Sequence, residues 1–265
     1  MKKVLVIFGS PHKGKTFGIL SAFMQKVNAL EQMKFECLHL AKSELAPCKS
    51  CNLCFTAGEE SCPSKDDALK IHKKMLAADA IVFAAPVFSL QVPAVMKNLL
   101  DRLAFVFHRP ALFGKTAMVL TTQGIYGDKQ VHRYLSGVAH MWGCNIVKGI
   151  AVTPPFTEPT PQETAAMVKA LDRGASRFVR ALSRNQYPVP PLMELMMFRF
   201  RRGFSRYTAH IFPADSRYFE AQGWLDSGYY YPVRLGIGKR LFGRLIDGSA
   251  RRRGRKLQRT TAGTR

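Results

Sequence analysis

Two short segments contain the residues best suited to bind a ligand or to react: a turn near the N-terminus and a run of closely spaced cysteines. The turn covers residues 9–16 and reads Gly-Ser-Pro-His-Lys-Gly-Lys-Thr, between an apolar run at 4–8 and a helical pattern. Backbone N–H groups at the start of a helix, together with the positive end of the helix dipole, bind anions. The turn therefore predicts a site for a phosphate-bearing cofactor.

The turn at residues 9–16, which we call the phosphate turn, is compatible with more than one kind of phosphate ligand when its residues are considered alone. The spacing from Gly9 to Gly14-Lys15-Thr16 matches the phosphate loop of nucleoside triphosphatases. No predicted strand ends in an aspartate suited to hold magnesium, which disfavours that reading. A dinucleotide fingerprint is absent, because no Gly-x-Gly-x-x-Gly follows the strand. A turn without any ligand is the remaining alternative.

The cysteine segment has the spacing C-x2-C-x2-C-x7-C, in one loop after the second predicted strand. Four thiols in one loop can converge on a single centre. Tight triple spacing is more typical of a cubane iron–sulfur cluster than of structural zinc, which prefers two separated pairs. A [4Fe–4S] cluster is favoured, while zinc, thiol redox chemistry and no cofactor stay open. The candidate ligands are Cys48, Cys51, Cys54 and Cys62.

Composition sets wider bounds on the function. The chain has 265 residues, six cysteines and a net charge of +22. Its apolar runs are too short for a membrane span or a signal peptide, so we expect a reducing, cytoplasmic location. From Arg184 onward there are 17 Lys and Arg against 5 Asp and Glu. We expect the densest cluster, residues 251–256, to be a solvated tail, with nucleic acid or an anionic lipid surface as the alternative partner.

Alternating apolar runs and helical patterns predict the elements that position these segments. Five repeats of strand and helix favour a doubly wound α/β domain with a parallel sheet. Ligands of such sheets bind at the carboxyl ends of the strands. The predicted ligand-binding loops are therefore 9–16, 86–93 and 121–127. The predicted strands are 4–8, 35–40, 80–87, 116–122 and 144–152, and the predicted helices are 16–30, 66–78, 93–107, 129–142 and 161–183.

Three regions follow from this organisation. Residues 1–184 form the α/β domain, and the prolines between 184 and 191 mark its end. Residues 185–247 are a basic, aromatic-rich extension that we expect to pack on the domain or on a partner subunit. Its segment 192–200 is expected to be a packed helix, with membrane-surface binding as the alternative. Residues 248–265 are expected to be disordered.

The segment 84–102 resembles a known flavin-binding loop. Its Pro86-Val87-Phe88, followed by Pro93-Ala94 and by Lys97 and Asp101-Arg102, is similar to the pattern Pro-Val-Tyr-x4-Pro-Ala-x-Leu-Lys-x-Phe-Ile-Asp-Arg of the NAD(P)H-dependent FMN reductase family. The turn at 9–16 resembles the family's Gly-Ser-Pro-Arg-x-x-Gly-Asn-Thr loop. The cysteine segment resembles the compact motif of iron–sulfur flavoproteins, a branch of the same family. Together these motifs cover about residues 1–184.

The resemblance implies a flavodoxin-like fold, with five parallel strands in the order 2-1-3-4-5, that binds FMN. It implies a phosphate site at one loop and isoalloxazine contacts at two others. The chain departs from the family pattern where His12 replaces Arg, Lys15 replaces Asn and Phe88 replaces Tyr. The implied phosphate contacts are Ser10, Lys15 and Thr16, with His12 as a further candidate; the implied ring contacts are Pro86, Val87, Phe88 and Ser89 on one side and Thr121, Thr122, Gln123 and Gly124 on the other.

The implied activity is an FMN-dependent oxidoreductase that passes electrons from NADH or NADPH to a quinone, a free flavin or a metal ion. Because the flavin carries the chemistry, no acid–base residue is expected to be indispensable. A homodimer or higher homo-oligomer is expected. The alternative is an electron carrier that uses FMN and a [4Fe–4S] cluster, with ferredoxin as partner and without NAD(P)H turnover.

The residues outside these motifs are expected to be structural. The other histidines show no metal spacing with carboxylates, so we interpret them as packing or surface residues. Cys37 and Cys144 lie within strand patterns and are expected to be small core residues. The histidines concerned are His39, His72, His108, His132, His140 and His210.

Overall fold

A computed structural model of the chain describes residues 1–184 and 187–262, which divide into two compact units. The α/β unit comprises Met1–Cys48 and the chain from Asp66 as far as the residues before Tyr187. The C-terminal unit comprises the chain from Tyr187 onward and also Lys49–Lys65, which carries three of the four clustered cysteines. From the sequence we expect residues 1–184, including this segment, to form one continuous domain.

The α/β unit is built on five parallel strands in the order β2-β1-β3-β4-β5. This order confirms the predicted flavodoxin-like fold. Every residue of β4 and nearly every residue of β3 is buried, because helices cover both faces of the sheet. The strands are β1 (Lys2–Phe8), β2 (Met33–His39), β3 (Ala80–Pro86), β4 (Thr116–Thr122) and β5 (Asn145–Val152).

Helices of the α/β unit cover the two faces of the sheet. On one face Phe23 and Phe178 bring α1 and α7 together, with ring centroids 5.8 Å apart. On the other face Trp142, at the end of α6, lies 6.4 Å from Phe83 of β3. The predicted helix 93–107 is divided into α4 and α5. The helices are α1 (Lys15–Leu30), α3 (Ala68–Ala77), α4 (Ala94–Arg102), α5 (Phe105–His108), α6 (Asp128–Met141) and α7 (Pro161–Leu182), while α2 (Leu53–Thr56) lies in the C-terminal unit.

The two cysteines in strand patterns have different environments. Cys144 is buried beside the start of β5, as expected. Cys37 is exposed, so the expectation that it is a core residue was wrong. The reason is the position of β2 at the edge of the sheet, where only part of the strand is covered.

Gly149 fills a tight position where the register between β4 and β5 shifts. A Cβ atom added there would lie 2.2 Å from the carbonyl oxygen of Val119 and 2.5 Å from the ring of His132. We expect Gly149→Ala to lower the free energy of unfolding by about 1–3 kcal/mol, because the backbone has to move. The matched control is Gly137→Ala on α6, where the new Cβ meets nothing within 4 Å. Urea denaturation measures both variants, and equal midpoints would contradict the close approach.

The C-terminal unit has an aromatic core of its own. Trp224 donates from Nε1 to the carbonyl oxygen of Tyr230 at 2.8 Å, and the two rings lie 4.7 Å apart. Phe198 lies 4.6 Å from Tyr230, and Phe219 lies 5.2 Å from Trp224. From the sequence we expect residues 185–247 to pack on the domain or on a partner subunit. The helices of this unit are α8 (Leu192–Tyr207), α9 (Pro213–Ala221) and α10 (Ile237–Ala262), besides α2.

Helix α10 occupies most of the segment that was expected to be a disordered tail. The expectation started at residue 248, whereas the helix runs to Ala262; residues 263–265 lie outside the described residues. Arg and Ala favour helices, and one face of α10 packs closely on α8, with Ala250 against Gly203 and Gly254 against Tyr207. Packing of that face explains why a cationic segment is helical. Among the described residues, no helix is both long and apolar enough to cross a bilayer.

Candidate functional site

Backbone hydrogen bonds join the carboxyl ends of four strands at one edge of the α/β unit. The N–H of Gly9, after β1, donates to Ala84 of β3 at 2.8 Å. The N–H of Val87, after β3, donates to Thr122 of β4 at 2.8 Å. The N–H of Gln123 donates to Val152 of β5 at 3.0 Å. The three nominated loops therefore leave neighbouring strands at one edge, which includes the switch point between β1 and β3.

The N-terminus of α1 has the properties of an anion site. Gly14 is the N-cap and provides no side-chain hydrogen bond, and the first turn of the helix contains no acidic residue. The first amide groups of a helix have no partner within the helix, so an uncapped end presents them to an external acceptor. Lys13 and Lys15 are both exposed beside this end. The arrangement fits a phosphate group.

The predicted phosphate contacts have distinct positions around this helix end. Ser10 is buried, and its hydroxyl donates to the carbonyl oxygen of His12 at 2.8 Å, so it shapes the turn. Thr16 is also buried, and its Oγ1 lies 2.6 Å from Oγ1 of Thr122, which ties α1 to the end of β4. Lys15 donates from Nζ to the carbonyl oxygen of Pro155, and His12 is exposed.

His39 forms a hydrogen bond to the phosphate turn, although its sequence context indicated only packing. Its Nε2 lies 2.7 Å from the carbonyl oxygen of Ser10, and its ring lies 5.0 Å from that of Phe8. The bond connects the end of β2 to the turn after β1. No sequence pattern identifies this role, because the contact depends on the pairing of the two strands.

The loop after β3 contains a strained turn. Phe88 and Gln91 exchange two backbone hydrogen bonds, of 2.9 and 2.8 Å. Between them, Ser89 and Leu90 have φ angles of 47° and 66°, in the left-handed region that residues other than glycine seldom occupy. Strain of this kind concentrates at binding sites. The turn presents the half-exposed side chains of Phe88 and Leu90, while Pro86 and Val87 are partly buried.

The loop after β4 is held by hydrogen bonds to α6 and to the residue that follows β5. Oγ1 of Thr121 lies 2.9 Å from Nε2 of His132. The side chain of Gln123 accepts from the N–H of Asp128 at 2.9 Å and donates to Thr153 at 3.2 Å. Gly124, next in the chain, is exposed. Thr121, Thr122 and Gln123 thus fix the loop from inside, and Gly124 leaves room for a ligand.

A fourth loop, after β5, also reaches this edge and was not nominated from the sequence. Phe156 is 82% exposed, and a Cβ atom at Gly124 would lie 3.4 Å from its ring. Pro155 of the same loop accepts the hydrogen bond from Lys15. Tyr126, in the loop after β4, is also exposed. The edge therefore carries several exposed aromatic rings close to the phosphate site.

His132 makes the free energy of unfolding dependent on pH. Burial lowers the pKa of His132 below its ordinary value of 6.5, against a smaller opposing influence of Asp128. The unfolded chain therefore takes up the proton more readily, so the free energy of unfolding falls as the pH drops below about 6.5. We expect the urea midpoint to fall between about pH 7.5 and pH 5.5, and His132→Gln to flatten this dependence. An unchanged slope in the variant would contradict this assignment.

The cysteine segment does not form a ligand set in the described residues. Cys48 ends the first segment of the α/β unit, whereas Cys51, Cys54 and Cys62 belong to the C-terminal unit. All six cysteines lie within the described residues, and none forms a disulfide. Within the described part of the chain, no group of three or more His, Cys, Asp or Glu side chains is arranged to hold a metal ion.

Within the α/β unit, Asp66 and Asp67 join the chain that precedes the cysteine segment to the chain that follows it. We call these two residues the carboxylate clamp. Oδ2 of Asp66 accepts from the N–H of Ala46 at 2.9 Å, and Oδ2 of Asp67 accepts from the N–H of Glu44 at 3.0 Å. Oδ1 of Asp66 accepts from Arg102 at 2.8 Å and from Ala68 at 3.1 Å, at the start of α3. The chain before the cysteines is thereby tied to the chain after them.

The opposite end of the sheet holds a cavity of about 450 Å³. It is lined by the first residues of β4 and β5, Thr116 and Asn145, and by Arg177 and Arg180 of α7. None of the residues nominated for cofactor binding lines it. The candidate site is therefore the loop edge and not this cavity.

The order of the five parallel strands, with helices on both faces of the sheet, defines a flavodoxin-like fold. The sequence profile described as NADPH-dependent FMN reductase matches residues 2–158. The chain therefore belongs to the NADPH-dependent FMN reductase family, which confirms the resemblance seen in the sequence.

Individual relatives agree with this assignment. An iron–sulfur flavoprotein from Archaeoglobus fulgidus is 32% identical over 145 residues, which make up 53% of this chain and 64% of that protein. An FMN-dependent NADH:quinone oxidoreductase from Metamycoplasma arthritidis is 25% identical over 185 residues, or 62% of this chain and 91% of that protein. The match to a second A. fulgidus iron–sulfur flavoprotein spans 48% of its length. The chain thus spans less than two thirds of these iron–sulfur flavoproteins.

Among solved structures, the chain is similar to RosB with its bound intermediate 8-demethyl-8-formylriboflavin-5'-phosphate. The TM-score is 0.54 at 14% identity, and the alignment covers 89% of this chain and 92% of that one. At this level of identity the similarity concerns the fold alone.

Proposed function

We propose that the chain binds FMN at the carboxyl ends of β1, β3 and β4 and passes reducing equivalents from NADH or NADPH to a small acceptor. The observation that carries the proposal is the uncapped N-terminus of α1, with Lys13 and Lys15 beside it, at the switch point of the sheet. Family membership supports the cofactor and the reductant. The similarity to an NADH:quinone oxidoreductase favours a quinone over a free flavin or a metal ion as the acceptor.

The residues of the chain bind and orient the cofactor. When bound, FMN supplies the electron-transfer chemistry. The amide groups at the start of α1 and the two lysines hold the phosphate, and the Ser10 and His39 contacts keep the turn in shape. The strained turn at Ser89 and Leu90 and the loop fixed by Thr121 then flank the planar ring.

Exposed aromatic residues provide the apolar surface that such a ring needs. Phe88, Tyr126 and Phe156 are 44%, 66% and 82% exposed. Large exposed rings around a site are also typical of surfaces that a second subunit covers. This supports a homodimer, which light scattering of the flavin-loaded protein tests directly: a mass of one chain would contradict it.

The test of the proposed function is reconstitution followed by anaerobic reduction. The purified protein is stripped of cofactor, titrated with FMN and mixed without oxygen with NADPH or NADH. We expect saturable binding and bleaching of the flavin band, followed by recovery of the band when a soluble quinone is added. Failure to retain FMN at excess would overturn the whole proposal, and retention without bleaching would overturn the reductase activity.

An electron carrier with an iron–sulfur cluster is the second candidate. The four clustered cysteines favour it, and iron–sulfur flavoproteins are among the relatives. Because the described residues do not gather these thiols into a ligand set, we derive no step through a cluster. Anaerobic purification with iron and sulfide analysis separates the two candidates. Four iron atoms per chain, with no response to NADPH, would favour the carrier.

A further inference from the structure

Helix α10 has two apolar faces, and only one of them is packed within the C-terminal unit. On the packed face, Ala250 is 5% exposed and contacts α8 at Gly203. Asp247 pairs on the same side with Arg199 at 2.8 Å and with Arg202 at 2.5 Å. These contacts fix the rotation of the helix about its own axis.

The second apolar face points into solvent. Ile237, Leu241 and Leu245 are 70%, 54% and 74% exposed. They follow one another at intervals of four residues, so they lie within an arc of about 80° on a helix of 3.6 residues per turn. This arc lies on the side of the helix away from Asp247 and Ala250. A row of exposed aliphatic residues opposite a packed face is not needed for the fold.

The charges around this row have one sign. Arg240, Arg244, Arg251 and Arg252 are all exposed along the same helix. By the same geometry, Arg244 and Arg252 lie within about 20° of the aliphatic arc, and Arg240 and Arg251 lie beyond its edge. The chain as a whole carries a net charge of +22. The surface therefore combines a narrow aliphatic centre with a cationic border.

We propose that this exposed face of α10 binds the surface of an anionic lipid bilayer. Aliphatic side chains on an amphipathic helix enter the boundary between headgroups and acyl chains, while neighbouring arginines bind anionic headgroups. Each arginine adds to the attraction, and the attraction is screened by salt. The helix lies in the plane of the surface and does not cross the bilayer. This inference does not rest on the proposed flavin chemistry.

Two other occupants fit the face less well. A second copy of the chain, docked through the same face, would bring arginines against arginines, because a two-fold interface pairs a patch with itself. A nucleic acid backbone would bind the arginines but offers no apolar surface for three adjacent aliphatic side chains. Charge complementarity and the aliphatic centre together favour the anionic bilayer.

The experiment is vesicle flotation with the full chain. Vesicles of phosphatidylcholine alone are compared with vesicles that contain about 30% phosphatidylserine, at about 0.1 and 0.5 M salt. We expect binding to the anionic vesicles at low salt, little binding to the neutral ones, and release at high salt. The neutral double variant Leu241→Gln/Leu245→Gln keeps the charge of the chain and should weaken binding about tenfold or more.

A matched control changes exposed leucines elsewhere. Leu30 and Leu76 are 56% and 39% exposed in the α/β unit. Leu30→Gln/Leu76→Gln alters the same residue types and should leave vesicle binding unchanged. Thermal melts of both double variants and flavin binding by each show whether they are folded.

Three results would overturn the proposal. The first is equal vesicle binding by the wild type and the Leu241→Gln/Leu245→Gln variant. The second is a dimer in solution that this variant dissociates, which would assign the face to a second copy. The third is tight, salt-sensitive binding to duplex DNA with no binding to anionic vesicles. Loss of FMN binding or of NADPH oxidation would bear only on the proposed function.

Discussion

Gly14→Asp is expected to weaken FMN binding about a hundredfold or more while leaving the empty protein at least as stable as the wild type. Gly14 is the N-cap of α1, and its φ of −107° lies outside the left-handed region that would require glycine. Aspartate is a favourable N-cap that accepts hydrogen bonds from the first-turn amides. It therefore occupies the amides that the phosphate needs and adds a negative charge beside them. Isothermal titration of the apo-protein with FMN measures the affinity, and thermal melts measure the stability.

Gly14→Asn is the matched control, because asparagine has the same shape and caps a helix equally well without the charge. Its effect on FMN affinity reports the loss of the amides alone, and the difference between the two variants reports the charge. A Cβ atom at this position would approach only the exposed ring of His12, at 3.0 Å, which can move. Equal FMN affinity in Gly14→Asp and the wild type would place the phosphate elsewhere.

Much of the α/β unit was predictable because its sequence is locally consistent. The buried strands β1, β3 and β4 are short apolar runs, and α7 has a start signal in its sequence. For α7 this signal is Thr160, whose Oγ1 accepts from the N–H of Glu163 while the Glu163 carboxylate accepts from the N–H of Thr160. The loops at 9–16, 86–93 and 121–127 follow from the strand ends alone. The switch-point rule therefore predicts which edge of the sheet carries the candidate site without any contact information.

The remaining features depend on contacts between residues that are distant in sequence. The bond from His39 to Ser10 requires the pairing of β1 with β2, and the position of Phe156 requires the return of the chain after β5. The helix in the predicted tail depends on such contacts too: the charge pattern of residues 248–265 suggested disorder, whereas Ala250 of α10 packs on Gly203 of α8.

Residues 49–65 belong to the C-terminal unit through contacts that their own sequence does not predict. Cysteine spacing describes only what the thiols can do if they converge. The ring of Phe55 lies 6.3 Å from that of Phe212, and Arg217 donates to the carbonyl oxygen of Ala57 at 3.3 Å. These contacts place the segment in the C-terminal unit, and no pattern within the segment predicts them.

Asp66→Asn is expected to lower the free energy of unfolding by about 3 kcal/mol or more, because it removes the charge that faces a buried guanidinium. The side chains of Arg102 and Asp66 are 5% and 9% exposed. Burial alone would raise the pKa of Asp66, but hydrogen bonds from Arg102, Ala68 and Ala46 together hold that pKa below its ordinary value of 3.8. The carboxylate thus stabilises the fold above about pH 4, and this contribution is lost as the pH falls through the folded-state pKa.

The neighbouring Asp67→Asn is the matched control, since Asp67 pairs with Lys70, whose side chain is 76% exposed. Exposed pairs contribute little, so this variant should stay close to the wild type in urea denaturation. Asp66→Asn/Arg102→Met removes both charges and keeps an amide oxygen that can accept from the N–H of Ala46, so it should recover much of the loss. If Asp66→Asn is no more destabilising than Asp67→Asn, the ion pair between Asp66 and Arg102 does not hold the base of the cysteine segment. If it is, the ends of that segment are anchored by the α/β unit, independently of whatever its thiols bind.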